Sequence, residues 1–523
     1  MNFENGFITQ GDLLQFTYAA FGVLPQKESD GFDFKGTNKK AIQQQLTRLS
    51  KEKGHLNSNM GQSIESLSYS ITGYLPNASI MAAIGDTLAD IYDSYCSWVK
   101  SEGSFLSKSE TLRYFITIKV VPLLVVSVNQ SLLRYRISDL NLETPKDDFW
   151  YLPSVDDAGR LKLPLEKVMR WAYEICDTSQ TQFHYPEKKA DSGCPALQNN
   201  LDNAINWTRG AAVPALAALV KNFKESFEAM AKCGREVPKQ RQISILTMLI
   251  FARVSSYVVK RIVKTYDVDY LKDIGAQLRN YSQWILADVN EFKAECQRII
   301  HKTQSEVLDN PVWQDIFWHY WTFFQGKLDA ASNKLQQLHD ARSGSPISED
   351  VIGALINKYG RFAVCTCLDL TQRKAAWQPP EGFVDMLIQG FELKKNCHTS
   401  VEQIDEYAVQ VDAHGLNTAL CWMEPWLRAI YYYRSGDYRT AMEYYEIAFN
   451  NAKYRAGQNQ YDLVNQYVEV AAKNDMWMCF KKGIEWAQYL GIGVRWLRND
   501  EPTEENLKSV YEMMKIVSYG HRM

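Results

Sequence analysis

The chain lacks an uninterrupted apolar run long enough to cross a bilayer. Its most apolar segment, Val120–Val128, is short, contains Pro122 and follows Lys119. A helical span needs about 20 apolar residues, so no membrane partner is expected. The opening MNFENGFITQGD has neither the basic region nor the apolar stretch of a signal peptide. Charge of one sign is missing too: 58 Lys and Arg stand against 61 Asp and Glu, a net charge of -3. That balance excludes a chain-wide attraction to nucleic acid or to an anionic surface and leaves only local patches to consider.

Catalytic signatures are equally sparse. No G-x-S-x-G, no P-loop and no G-x-G-x-x-G behind a strand pattern occurs. Arg48 and His55 have the R-x6-H spacing of some helical ribonucleases, but they sit at a helix end, and His319 lies inside an aromatic helix, where a hydrogen-bonded core role is expected. The ten cysteines are scattered, with only Cys365-Thr366-Cys367 as a close pair. With Cys397 and His398 they lack the paired spacing of a zinc knuckle. No metal and no cofactor is expected, and free thiols point to a reducing, cytoplasmic setting.

What is present is helical periodicity almost everywhere. Apolar residues at three and four spacing mark helices over Asp12–Phe21, Lys39–Lys53, Leu165–Cys176, Ile243–Ile262 and Leu271–Leu308. Asn77 has the chemistry of a helix cap, as does Ser348 ahead of Glu349 and Asp350. Pro122 removes a backbone donor from the apolar helix pair or kinked helix over 104–137, so a kink is expected there. The polar, proline-containing connection Asn141–Pro153 and the linker Arg342–Pro346 divide the chain. The expectation is an all-α, multi-domain protein with units at 1–140, 160–340 and 346–523.

The stretch Ala429–Ala448 reads AIYYYRSGDYRTAMEYYEIA. Small residues at Ala429, Ala441 and Ala448 alternate with Tyr432, Tyr438 and Tyr445 around Ser435-Gly436-Asp437, a pattern that closes a helix pair tightly. It resembles a tetratricopeptide repeat, best over 422–453. Neighbouring turn markers lie about 37 and 38 residues away (398 to 435, 436 to 474), against about 34 in that family. The resemblance implies a C-terminal helical-hairpin array that binds a protein or peptide partner on the first helix of each pair. Trp422, Trp426, Arg428 and Tyr431 are the expected lining, with Tyr432 in the core. The first function reading is therefore a non-enzymatic scaffold or adaptor.

A second reading comes from Leu197–Phe223. Its W-x-x-G-x-x-x-P spacing, Trp207, Gly210 and Pro214, is similar to the lambda-repressor type of helix-turn-helix. The resemblance implies that the preceding helix enters the major groove. Gln198, Asn199, Asn203, Asn206 and Arg209 would meet base edges there, amides pairing with adenine and guanidinium with guanine. Lys239, Arg241, Arg253, Lys260, Arg261 and Lys264 form an expected basic face nearby. Together these describe a DNA-binding regulator with the C-terminal hairpins as sensor.

Overall fold

The computed structural model describes residues 6–23, 37–75, 77–156, 159–186, 195–303, 326–340, 347–497 and 502–517. The aromatic segment 313–324, with His319, and the linker 342–346 lie outside them. The architecture is all-α, as the periodicity predicts. One exception is a two-stranded antiparallel ribbon, Ser154–Val155 against Leu161–Lys162, at the end of the polar connection. The sequence of Thr178–Cys194 reads as a polar loop; within it Ser179 caps a short helix, Gln180–His184.

Local chemistry explains the helix boundaries. Asn77 accepts from the amide of Ile80 at the head of Ala78–Ser101, satisfying one of the orphan donors of that first turn. That helix folds back on Leu56–Thr72. Gly54 takes a φ of +77° between Arg48 and His55, so the two residues of the R-x6-H spacing belong to different helices.

The irregularity at Pro122 takes the form of a π-helical turn, Phe115–Val120. The amide of Val121 bonds to the carbonyl of Ile116, five residues back. Continuing that pattern would pair the Thr117 carbonyl with residue 122, which as proline has no N–H. Gln277, from the long helix Val268–Thr303, supplies the missing donor at 2.9 Å. The hydroxyls of Tyr270 and Thr117 meet beside it at 3.0 Å.

Two helical stretches, Lys108–Arg134 and Lys239–Thr265, are long and apolar enough to cross a membrane by length and composition. Neighbouring helices bury 61% of the apolar window of the second and 39% of that of the first. The first packs on Ala78–Ser101 and Val268–Thr303, the second on Pro164–Ile175 and Gln10–Phe21. Arg253, which the sequence suggests for a basic face, is buried in the second of these junctions. It donates to the carbonyls of Pro214 at 2.8 Å and Ala19 at 2.9 Å, and also to that of Ala20. A cation at the C-terminal end of Gln10–Phe21 meets the negative end of its dipole. Gly22 is required there: its φ is +72° and a Cβ would lie 2.6 Å from the guanidinium carbon.

In the C-terminal part, Met423–Arg434 pairs with Tyr438–Ala452, and Gln460–Lys473 with Trp477–Leu490. Gly436 turns the first pair at a φ of +86°, and Asp437 caps the next helix by accepting from Thr440 at 3.1 Å. Asp475, at φ 56°, takes the equivalent turn of the second pair. Ala429, Ala441 and Ala448 are buried around Tyr445. Gly483 is small for the same reason: a Cβ there would lie 2.5 Å from Val468 and 2.8 Å from the Tyr467 ring. Successive turns are bonded to each other. Arg434 donates to the carbonyls of Lys394 (2.9 Å) and Asn396 (2.8 Å), and Asn474 to that of Tyr438 (2.7 Å). These steps of 36 to 40 residues are compatible with a helical repeat.

The far ends of these hairpins meet the N-terminal helices. The amide of Phe7 bonds to the carbonyl of Tyr454 at 3.0 Å, and Gly103 bridges to Ala456. The hydroxyls of Tyr454 and Tyr489 both donate to the Gln10 side-chain oxygen at 2.6 Å. Lys453 pairs with Glu52 at 2.7 Å. One apolar core therefore runs from Phe7 through the hairpins to Met514.

Candidate functional site

Of the four residues expected to line a partner surface, the structure puts two in the interior. Trp426 is 0% exposed and donates its indole N–H to Gln466 at 2.6 Å; Trp422 is 3% exposed and lies against it. Their positions, four apart, face the helices Phe383–Lys395, Val401–Ala413 and Tyr438–Ala452, which surround Met423–Arg434. An amphipathic pattern marks these tryptophans as apolar but does not say how many sides of the helix are covered. Both are core, and neither presents a face to a partner.

Arg428 and Tyr431 do reach the surface, half-buried. Arg428 is held by the carboxylates of Glu424 and Asp405. Tyr431 meets Tyr432 edge-on at 5.2 Å, and Tyr432 stacks on Tyr444 at 5.6 Å with the rings 4° from parallel. The Arg428 guanidinium stands 5.9 Å from the centre of the Tyr444 ring. Tyr432 is thus part of a half-exposed aromatic patch rather than of the core alone.

The helix Pro195–Thr208 carries Gln198, Asn199, Asn203 and Asn206, and Arg209 follows its last residue. Gln198, Asn199, Asn203, Asn206 and Arg209 are all exposed, while Leu201, Ala204 and Trp207 are buried. Asn200 faces inward, donating to Glu225 at 2.8 Å. Gly210, at φ +71°, ends the helix, and the following loop is tied down by the Arg253 bond to Pro214 and by an amide bond from Leu216 to Gly22. From the expected basic face, Lys260 reaches the Ala211 carbonyl at 3.2 Å, Arg241 pairs with Glu143 at 2.9 Å, and Arg253 is buried.

Beside this helix opens a cavity of about 450 Å³, lined by Arg160, Glu166, Arg170, Tyr173, Gln180, Ile205, Thr208 and Arg209. Glu166, 1% exposed, accepts on one oxygen from Arg160 (2.9 Å) and from Arg170 (2.8 Å). Arg160 also takes Asp156 at 3.2 Å, outside the lining. Arg209 makes no ion pair with any described residue. Gln180 donates to the Thr208 hydroxyl at 3.1 Å and so joins two walls.

Behind the cavity runs a buried relay. The Ser226 hydroxyl donates to the Asn222 carbonyl at 2.8 Å, so it accepts from His184 Nδ1, also at 2.8 Å. That leaves His184 Nε2 to accept from the Tyr173 hydroxyl at 2.9 Å. Burial holds the His184 pKa down at about 3, so the ring is neutral. In sequence His184 reads as a loop residue; the short helix Gln180–His184 makes it core.

Sequence reasoning did not single out Arg160, Glu166, Arg170, Tyr173 or Gln180. One signal was there: Glu166 and Arg170 are four apart on a helix, a favourable pair. Nothing local connects that pair to Arg209. Burial raises the thiol pKa values of Cys365 and Cys367, and Cys397 lies outside their helix, in the turn before Val401–Ala413. Fold and geometry define an all-α protein of packed helix pairs that carries a cationic cavity. Set against family models, curated proteins and solved structures, the chain matches none.

Proposed function

We propose that the chain is a non-enzymatic scaffold or adaptor whose C-terminal hairpins, a tetratricopeptide-like array, hold a protein or peptide partner. The observation that carries this reading is the patch formed by Arg428, Tyr431, Tyr432 and Tyr444: partly buried at the surface, with Tyr432 stacked on Tyr444 and Arg428 held by two carboxylates. Aromatic rings and arginine held rigid at a surface lose little entropy on binding, and they dominate the energetics of protein interfaces. The turn-to-turn bonds keep neighbouring hairpins in one orientation, which supports an extended docking face. The eight cysteines whose side chains are described are free thiols, in keeping with a cytoplasmic setting.

The test is selection of peptides from a displayed library by the full chain, followed by hydrogen exchange with and without the best binder. Protection is expected over Met423–Arg434 and Tyr438–Ala452, persisting at high salt. Tyr431→Ala with Tyr444→Ala is expected to weaken binding by about 2 kcal/mol or more, the range of interface anchors. Protection confined to other helices would overturn the reading.

One observation favours a second reading, a DNA-binding regulator: all five amide and arginine candidates lie exposed along Pro195–Thr208 and just after it. Here affinity for duplex DNA should fall steeply as salt rises, and Asn203→Ala with Arg209→Ala should abolish it. Absence of any gel shift at low salt sinks this reading and leaves the scaffold untouched.

A further inference from the structure

We infer that the cavity framed by Arg160, Arg170 and Arg209 binds a small soluble anion through a phosphoryl group. The argument begins with Glu166. A carboxylate that is 1% exposed is costly to bury unless it is paired. This one is paired twice on one oxygen, to Arg160 at 2.9 Å and Arg170 at 2.8 Å. It therefore acts as a template, holding two guanidinium groups side by side at a cavity wall. Each guanidinium has about five N–H donors. Arg170 uses one of them on Glu166, and Arg160 uses two, counting the bond from Nε to Asp156. Arg209 enters from a third element, the end of Pro195–Thr208, and spends none on an ion pair with a described residue.

The charge balance of the lining sets the class of ligand. Three guanidinium groups face Glu166 across a space of about 450 Å³, and with Asp156 paired to Arg160 behind the lining the local excess is one positive charge. A phosphoryl group carries close to two negative charges at neutral pH and presents three acceptor oxygens. Planar guanidinium forks match that geometry in pairs. The remaining wall is Tyr173, Gln180, Thr208 and Ile205, a mixed polar and apolar surface suited to the organic part of such a ligand. Its volume fits a small molecule, falling within the range of ordinary ligand pockets.

The experiment is calorimetric titration of the full chain at physiological salt with inorganic pyrophosphate, citrate and, separately, a short DNA duplex. Pyrophosphate is expected to bind with a Kd below about 1 mM, and citrate about tenfold more weakly. Arg209→Gln changes an exposed side chain and should leave the fold intact while weakening pyrophosphate about tenfold; Arg170→Gln with Arg209→Gln should abolish it. The thermal melt of each variant, unchanged for Arg209→Gln, separates loss of binding from loss of folding. No pyrophosphate heat up to about 10 mM would overturn the inference. So would retention of affinity in the double variant, or citrate binding as tightly as pyrophosphate. Binding of the duplex alone, lost in Arg209→Gln, would also overturn it and favour the DNA reading instead.

Discussion

His184 shows how much one side chain can carry without touching solvent. Its ring sits between Phe183 and Phe223, at 4.9 Å and 5.2 Å, and both nitrogens are spent on hydroxyls. Burial lowers its pKa from 6.5 to about 3. The folded state therefore binds fewer protons than the unfolded one below pH 6.5, so the stability it contributes is present above that value and is lost as pH falls toward 3. Between pH 6.5 and about 5, before carboxylates titrate, this loss should reach about 2 kcal/mol at about 1.4 kcal/mol per unit. His184→Gln should be less stable at pH 7 but nearly flat across that window. Urea denaturation at each pH checks this, and parallel curves for the two proteins would show that the ring is not held neutral. Arg253 makes the complementary point: read as a solvated cation, it is a buried clamp on three carbonyls.

At the scale of elements, the π-helical turn at Phe115–Val120 is the clearest case of one helix completing another. Gln277 closes the carbonyl that Pro122 leaves without a donor. Gln277→Ala should cost about 1–3 kcal/mol, the penalty of an unsatisfied buried carbonyl. Pro122→Ala restores an N–H at that position, so the double variant should recover part of the loss. A double-mutant cycle by chemical denaturation measures that coupling, and strictly additive losses would mean the two positions are independent. An irregularity at Pro122 was legible, because proline removes an amide donor from any helix interior; its partner was not, because Gln277 lies 160 residues away. The Asn77 cap and the Gly436 turn were legible for the same local reason, whereas Ser348 stands at the N-cap position without a side-chain capping bond. The short helix Gln180–His184 was missed because five residues are too few to show a period.

For the whole molecule, the junction at Gln10 decides how the chain behaves as a unit. Two tyrosine hydroxyls, Tyr454 from the turn after Tyr438–Ala452 and Tyr489 from Trp477–Leu490, converge on one buried side-chain oxygen near the N-terminus. Gln10→Leu strands both, and should destabilise by about 2–6 kcal/mol, taking about 1–3 kcal/mol for each buried hydroxyl left unpaired. Because one core joins the two regions, hydrogen exchange should quicken in Gln460–Lys473 and Trp477–Leu490 as well as in Gln10–Phe21. Exchange that quickens only in the N-terminal helix would show that the ends fold independently.

The amino-acid sequence by itself determined the helical class, the Asn77 cap, an irregularity at Pro122 and the tight pairing around Ser435–Asp437. Each rests on interactions within a few residues: 3.6-residue periodicity, side-chain capping, a glycine at positive φ, a missing amide proton. Tertiary structure alone decided which faces of those helices remain open. Trp422 and Trp426 turned inward because three helices surround theirs, while Tyr432 and Tyr444 stack at the surface. It alone brought Arg209 to the cavity that Glu166 organises with Arg160 and Arg170. Periodicity tells a chain which side of a helix is apolar; only the assembled helices settle what that side, and the charged residues around it, come to meet.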